Sequence, residues 1–140
     1  MFNTLSLAAF ATLSLSAPVM AEDVTVTLTG VEARGGVLLS ALQSRNQFMQ
    51  AEAVRADRIV FPAAGVVRVT FRDVAPGDYA VMVLHDEDGD GRMTMNGAMP
   101  GEGWATVNGD SLRAAPTFDQ VKFTVTATGA ALTVPMAYPR

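Results

Sequence analysis

A chain of 140 residues, 49% of them hydrophobic and 17% charged, has the size of one domain and is too apolar to remain disordered. Its net charge of -4 lacks the basic surplus that nucleic-acid binding requires. The absence of cysteine excludes disulfides, thiolate metal sites and cysteine nucleophiles, and the single histidine excludes multi-histidine metal sites within one chain.

The first 21 residues read as an export signal. The run Leu5 to Ala17 carries no charge. It is shorter than the about 20 residues a membrane-crossing helix needs and suits the apolar centre of a signal peptide. Val19 and Ala21 place small residues before a cleavage point, and Glu22-Asp23 opens a charged mature chain. No Lys or Arg precedes the apolar run, so its positive end rests on the terminal amine. The expectation is a leader at 1–21 and one mature domain at 22–140, periplasmic or secreted, with no membrane span.

The mature chain reads as strands. Side chains alternate across a strand with a period of two. Val24, Val26 and Leu28 alternate with three threonines, and Gly36 to Leu42 forms a more fully apolar run. Ser44 to Val54 is the only segment suited to a helix, a short one, and Asp57 to Phe61 suits a short strand. Val67, Val69 and Phe71 alternate with Arg68, Thr70 and Arg72; Tyr79, Val81 and Val83 alternate with Ala80, Met82 and Leu84. Ala75-Pro76-Gly77-Asp78 between these two runs is a turn with Pro and Gly at its centre, and the Tyr79 hydroxyl is placed to brace that corner. Val121, Phe123 and Val125 predict another strand. Thr128-Gly129-Ala130 predicts a tight turn into a last strand whose face carries Leu132, Val134, Met136 and Tyr138. Pro135 has no N–H to give a ladder, which places that strand at an edge. The pattern predicts an all-β fold, an antiparallel β-sandwich of about seven strands.

One stretch interrupts the alternation. Asp86 to Asp119 is glycine-rich and holds the only Trp, and connections longer than about 12–15 residues are uncommon in compact domains unless they are functional. It opens with His85-Asp86-Glu87-Asp88-Gly89-Asp90-Gly91-Arg92-Met93-Thr94. Carboxylates at alternate positions followed by glycine form the D-x-D-x-D-G pattern of calcium loops. Ca²⁺ takes six to eight oxygens at about 2.3–2.6 Å, and a curling loop turns alternate side chains toward one centre. The candidate ligands are the carboxylates of Asp86, Asp88 and Asp90, the backbone carbonyl of Arg92, and Thr94 directly or through water. An EF-hand carries a bidentate Glu where Gly97 stands here, and a strand rather than a helix leads in. A distant oxygen must therefore complete the shell, with Glu102 and Asn96 nearest and Asp119 behind them. The alternative is a solvated acidic turn without an ion.

Phe71 to Val81 running into His85 to Gly91, then Gly97-Ala98-Met99-Pro100-Gly101-Glu102-Gly103-Trp104 and Pro116-Thr117-Phe118, resemble a bacterial secreted family, the domain of unknown function 2141. Its pattern is a PGxYA turn and strand, HDxDxDG, a GxPxEG[YW] segment and a proline–phenylalanine pair. The resemblance covers most of the mature chain. It implies a transthyretin-like or immunoglobulin-like sandwich outside the cytoplasm, and no activity. Members often carry an acidic residue where Thr94 stands and asparagines after the aromatic, of which only Asn108 remains here.

Three further features are open to two readings. His85 is a binding candidate beside the carboxylates or a strand-end histidine bonded within the fold. Trp104 is a contact platform or a plug that packs its own loop. Met93, Met95 and Met99 are soft ligands for copper or gap-fillers beneath the loop. The combined expectation is a non-enzymatic module with a calcium loop that presents a binding surface to a carbohydrate or an envelope protein. A purely structural domain without metal and a metal-dependent hydrolase are the competing classes.

Overall fold

The computed structural model describes residues 16–18 and 20–140, so residues 1–15 and 19 of the expected leader at 1–21 lie outside the described residues. The elements are β1 (Glu22–Val31), β2 (Val37–Gln43), β3 (Arg55–Val60), β4 (Gly65–Val74), β5 (Gly77–Asp86), β6 (Met95–Asn96), β7 (Met99–Pro100), β8 (Gly103–Ala105), α1 (Phe118–Val121), β9 (Phe123–Val125) and β10 (Ala130–Pro135). One sheet has the order β10-β1-β4. The other has the order β3-β2-β5-β8, with β9 paired to the start of β5; β6 and β7 form a separate hairpin.

The two sheets close over one apolar cluster, as the alternation requires. Val24, Val26 and Leu28 of β1 and Val69 and Phe71 of β4 face Leu38 and Leu42 of β2 and Val81 and Val83 of β5. Each such side chain contributes about 1.5–3 kcal/mol on burial. β10 is the edge strand that Pro135 demands. The β4–β5 corner is braced by the Tyr79 hydroxyl, which donates to the Ala75 carbonyl at 2.8 Å. Thr126 and Gly129 exchange backbone hydrogen bonds of 3.2 and 3.0 Å around the last tight turn.

Three details depart from the sequence expectations. The β1–β10 ladder is parallel, Val24 facing Ala130 and Leu28 facing Val134, while the other ladders among the described residues are antiparallel. Strands separated by nearly the whole chain are under no hairpin constraint, so either direction is open to them. The expected helix at Ser44–Val54 is reduced to a single 3-10 turn at Arg45–Gln47. The cause is buried Gln43: its amide nitrogen donates to the Gln50 and Glu52 carbonyls at 2.9 and 2.8 Å, and its oxygen accepts from Met49 N–H at 3.2 Å. The segment therefore wraps around a side chain, and only short turns such as Gln50 N–H to the Gln47 carbonyl at 2.8 Å remain within it. Val121 belongs to α1, and the strand begins only at Phe123. Gln120 reaches back to accept from Thr117 N–H at 2.9 Å, which starts one helical turn and buries Phe118 and Val121.

The interrupting stretch is not a bare loop. It makes the β6–β7 hairpin and then returns as β8 to the strand it left, with Leu84 facing Trp104 and His85 facing Gly103. Among the described residues, no helix is long and apolar enough to cross a membrane.

Candidate metal site

Strand β5 ends on Asp86, and the chain turns around that carboxylate. Asp86 Oδ1 accepts from Gly89 N–H at 2.9 Å and Oδ2 from Gly91 N–H at 2.9 Å. Gly91 takes the left-handed φ of 74° that a side chain disfavours. The next two aspartates repeat the device on a smaller scale: Asp88 Oδ1 accepts from Asp90 N–H at 3.1 Å, and Asp90 Oδ1 from Arg92 N–H at 2.8 Å.

Glu102 closes the loop from the other side. The β6–β7 hairpin reverses the chain and brings Glu102, immediately before β8, back to the loop. Its Oε1 accepts from Glu87 N–H at 3.0 Å and its Oε2 from Thr94 N–H at 2.9 Å. One carboxylate thus clasps both arms. Asp86 and Glu102 are buried, at 3% and 4% exposure. Gly36, at the entry to β2, passes directly against the site: a Cβ there would meet the Asp86 carbonyl and the Glu87 Cα.

Asp86, Asp88 and Glu102 each offer a carboxylate oxygen within 4.8 Å of the other two. Two oxygens held about 2.4 Å from one Ca²⁺ lie at most about 4.8 Å apart, so the group has the dimensions of a shared ion. Among the described residues, Asp86, Asp88, Asp90 and Glu102 carry no ion pair; the nearest pair in sequence is Arg34 with Glu87 at 3.4 Å. Two carboxylates about 4 Å apart near a protein surface repel by about 4 kcal/mol. The six N–H donors offset part of that.

The remaining sequence candidates fall elsewhere. Asp90 is exposed and stands outside the three-carboxylate group. Thr94 meets the cluster through its backbone N–H, on Glu102, whereas the Arg92 N–H is given to Asp90. Asp119 lies in α1 and is paired with Arg45 at 2.6 Å. His85 has no exposed surface. Its Nε2 lies 2.7 Å from the Gly35 carbonyl and its Nδ1 2.8 Å from the Tyr138 hydroxyl, so both nitrogens are engaged inside the fold. Trp104 is half-buried in β8, against Gly109. Met95 and Met99 are 52% and 68% exposed, which overturns their reading as fillers beneath the loop: a hairpin this short has no interior to fill. The contact of Gly36 with the site was not foreseen, because nothing near Gly36 in sequence points toward Asp86.

Residues 26–133 match the model of a family described as an uncharacterized protein conserved in bacteria (DUF2141). No curated protein and no solved structure matches the chain.

Proposed function

The chain belongs to the DUF2141 family, and from that premise we propose that it is an exported, non-enzymatic β-sandwich module whose loop after β5 binds one calcium ion. The observation that carries this reading is the gathering of buried Asp86, buried Glu102 and exposed Asp88 within 4.8 Å of one another, with no cationic side chain paired to them among the described residues. All the side-chain donors are hard oxygens, which suits Ca²⁺ over zinc or copper. Asp86, Asp88 and Glu102 would hold the ion by carboxylate, with Asp90, Thr94 and the Arg92 carbonyl as further oxygens on the open side. The ion would supply positive charge and fix the loop and the β6–β7 hairpin against the sandwich.

A hydrolytic use of the same metal has less support. A base would have to stand beside the carboxylates, and the adjacent His85 spends both ring nitrogens on Tyr138 and Gly35. Export rests on residues 1–21, whose apolar centre and small residues before Glu22 suit cleavage by a signal peptidase.

Calorimetric titration of chelator-stripped protein with CaCl₂ tests the reading. One saturable site is expected, abolished by Asp86→Asn and retained by Asp57→Asn. A loop that holds its shape by its own N–H bonds alone would give no binding heat at millimolar Ca²⁺, and that result would overturn the proposal.

A further inference from the structure

The second sheet is apolar on both faces. While Leu38, Leu42, Val81 and Val83 fill the core, their alternating neighbours Leu39, Ala41, Met82 and Leu84 point to the other side. These form a continuous patch, Ala41 facing Met82 and Leu39 facing Leu84, which in turn faces Trp104. Strands that are apolar on both faces belong in sheets covered on both faces. Here the cover is partial. The β6–β7 hairpin brings Met93, Met95 and Met99 to one side and the segment Leu112–Pro116 lies along another, leaving a groove of about 1240 Å³ between them.

The charges in this groove are uneven. Three of its four charged residues are Arg58, Arg92 and Arg113, against Asp57 alone, in a chain of net charge -4. Arg113 is tied to the Asp110 and Leu112 carbonyls. Arg58 and Arg92 make no side-chain hydrogen bond or ion pair among the described residues, and both are exposed. Unpaired guanidinium groups beside an apolar trough complement a molecule with an anionic head and an apolar body. A sugar would need convergent polar partners, and the best-placed amide, that of Gln43, already gives both its N–H donors to backbone carbonyls and accepts from Met49 N–H. Flexible thioethers suit a bent aliphatic tail.

We propose that this groove binds a single-chain fatty carboxylate, with its tail over Leu39, Met82 and Leu84 and its head at Arg58 and Arg92. This goes beyond the calcium reading and does not depend on it.

Trp104 is the only tryptophan of the chain and lines the groove, so it reports occupancy directly. Purified protein would be titrated with dibromopalmitate below its micellar concentration, once in chelator and once in excess Ca²⁺. The expected result is saturable one-to-one quenching of Trp104 in at least one condition. Displacement by palmitate should exceed displacement by hexadecanol about tenfold, and the surface variant Arg58→Gln/Arg92→Gln should remove that preference. No saturable quenching in either condition would overturn the proposal, as would equal competition by acid and alcohol. Light scattering on the same samples tests the remaining occupant: if the groove is closed by a second copy, the protein is dimeric and ligand does not dissociate it, and the proposal fails.

Discussion

The Tyr138 hydroxyl lies 2.8 Å from His85 Nδ1 and ties the end of the chain to the last turn of β5. The other ring nitrogen faces the Gly35 carbonyl at 2.7 Å. A carbonyl only accepts, so Nε2 carries the proton and Nδ1 accepts from the tyrosine. The Tyr138 oxygen in turn accepts from Glu32 N–H at 3.0 Å. One phenol therefore joins three segments directly behind the carboxylate loop, and the histidine is held inward.

Tyr138→Phe leaves the wholly buried Nδ1 without a partner. The expected cost is about 1–3 kcal/mol, read as a lower midpoint in urea with an unchanged slope. Burial also raises the Tyr138 phenol above its ordinary value of 10.0. A neutral group with a raised folded value stabilises fully below the unfolded value, and that contribution is lost as pH rises through the folded one. The stability gap between the parent and Tyr138→Phe should therefore narrow above pH 10, as alkaline melts will show.

Gly36→Ala places a methyl group against the Asp86 carbonyl and the Glu87 Cα, at a φ of 62°. Strained backbone and overpacking each cost about 1–3 kcal/mol. Because the displaced atoms carry the first candidate ligand, calcium affinity should fall together with stability. Chemical denaturation and calorimetry on the same protein check both; loss of stability with unchanged calcium affinity would separate Gly36 from the site.

Within the loop, the carboxylates should rank by burial and by the bonds they hold. Asp86 and Glu102 each accept two backbone N–H groups and are buried, whereas exposed Asp90 accepts one. Asp86→Asn and Glu102→Gln should each weaken calcium binding by about 100-fold or more, and Asp90→Asn by about tenfold. Equal effects at all three positions in calcium titrations would contradict the assigned geometry.

An acid limb follows from the surface pair between β5 and the strand beside it. Asp78 accepts from the Thr124 hydroxyl at 2.8 Å and from Lys122 Nζ at 3.0 Å. These contacts, Thr124 first, hold its carboxyl below the ordinary value of 3.8. A lowered folded value stabilises fully above the unfolded one, and the contribution is lost as pH falls through the folded value. Asp78→Asn should thus melt below the parent at neutral pH and converge with it below pH 3.8. The margin is small because the groups are exposed and screened, and added salt should shrink it.

The sandwich was legible where one face alone is buried. In β1 the threonines alternate with residues of zero exposure, Val24, Val26 and Leu28, and a period of two admits only one register against the core. The parallel β1–β10 ladder was not legible, because pairing between the two ends of the domain leaves no local turn signal. Asp86 and Asp88 followed from spacing, since a short turn must bring alternate residues together. The part played by Glu102 needed the hairpin that returns the chain, and alternate spacing alone did not distinguish exposed Asp90 from the three gathered carboxylates. The groove had a signal in β2 and β5, whose second faces are apolar where a solvated strand would be polar.

Thermal melting of the protein in excess Ca²⁺ and in chelator decides whether the loop after β5 binds the ion. Binding to the folded state alone at 100 times the dissociation constant adds about 2.7 kcal/mol, which for a domain of this size raises the midpoint by roughly 8–13 °C. That rise should vanish in Asp86→Asn. Coincident melts of the parent protein at millimolar calcium and in chelator would show that the folded domain binds no calcium.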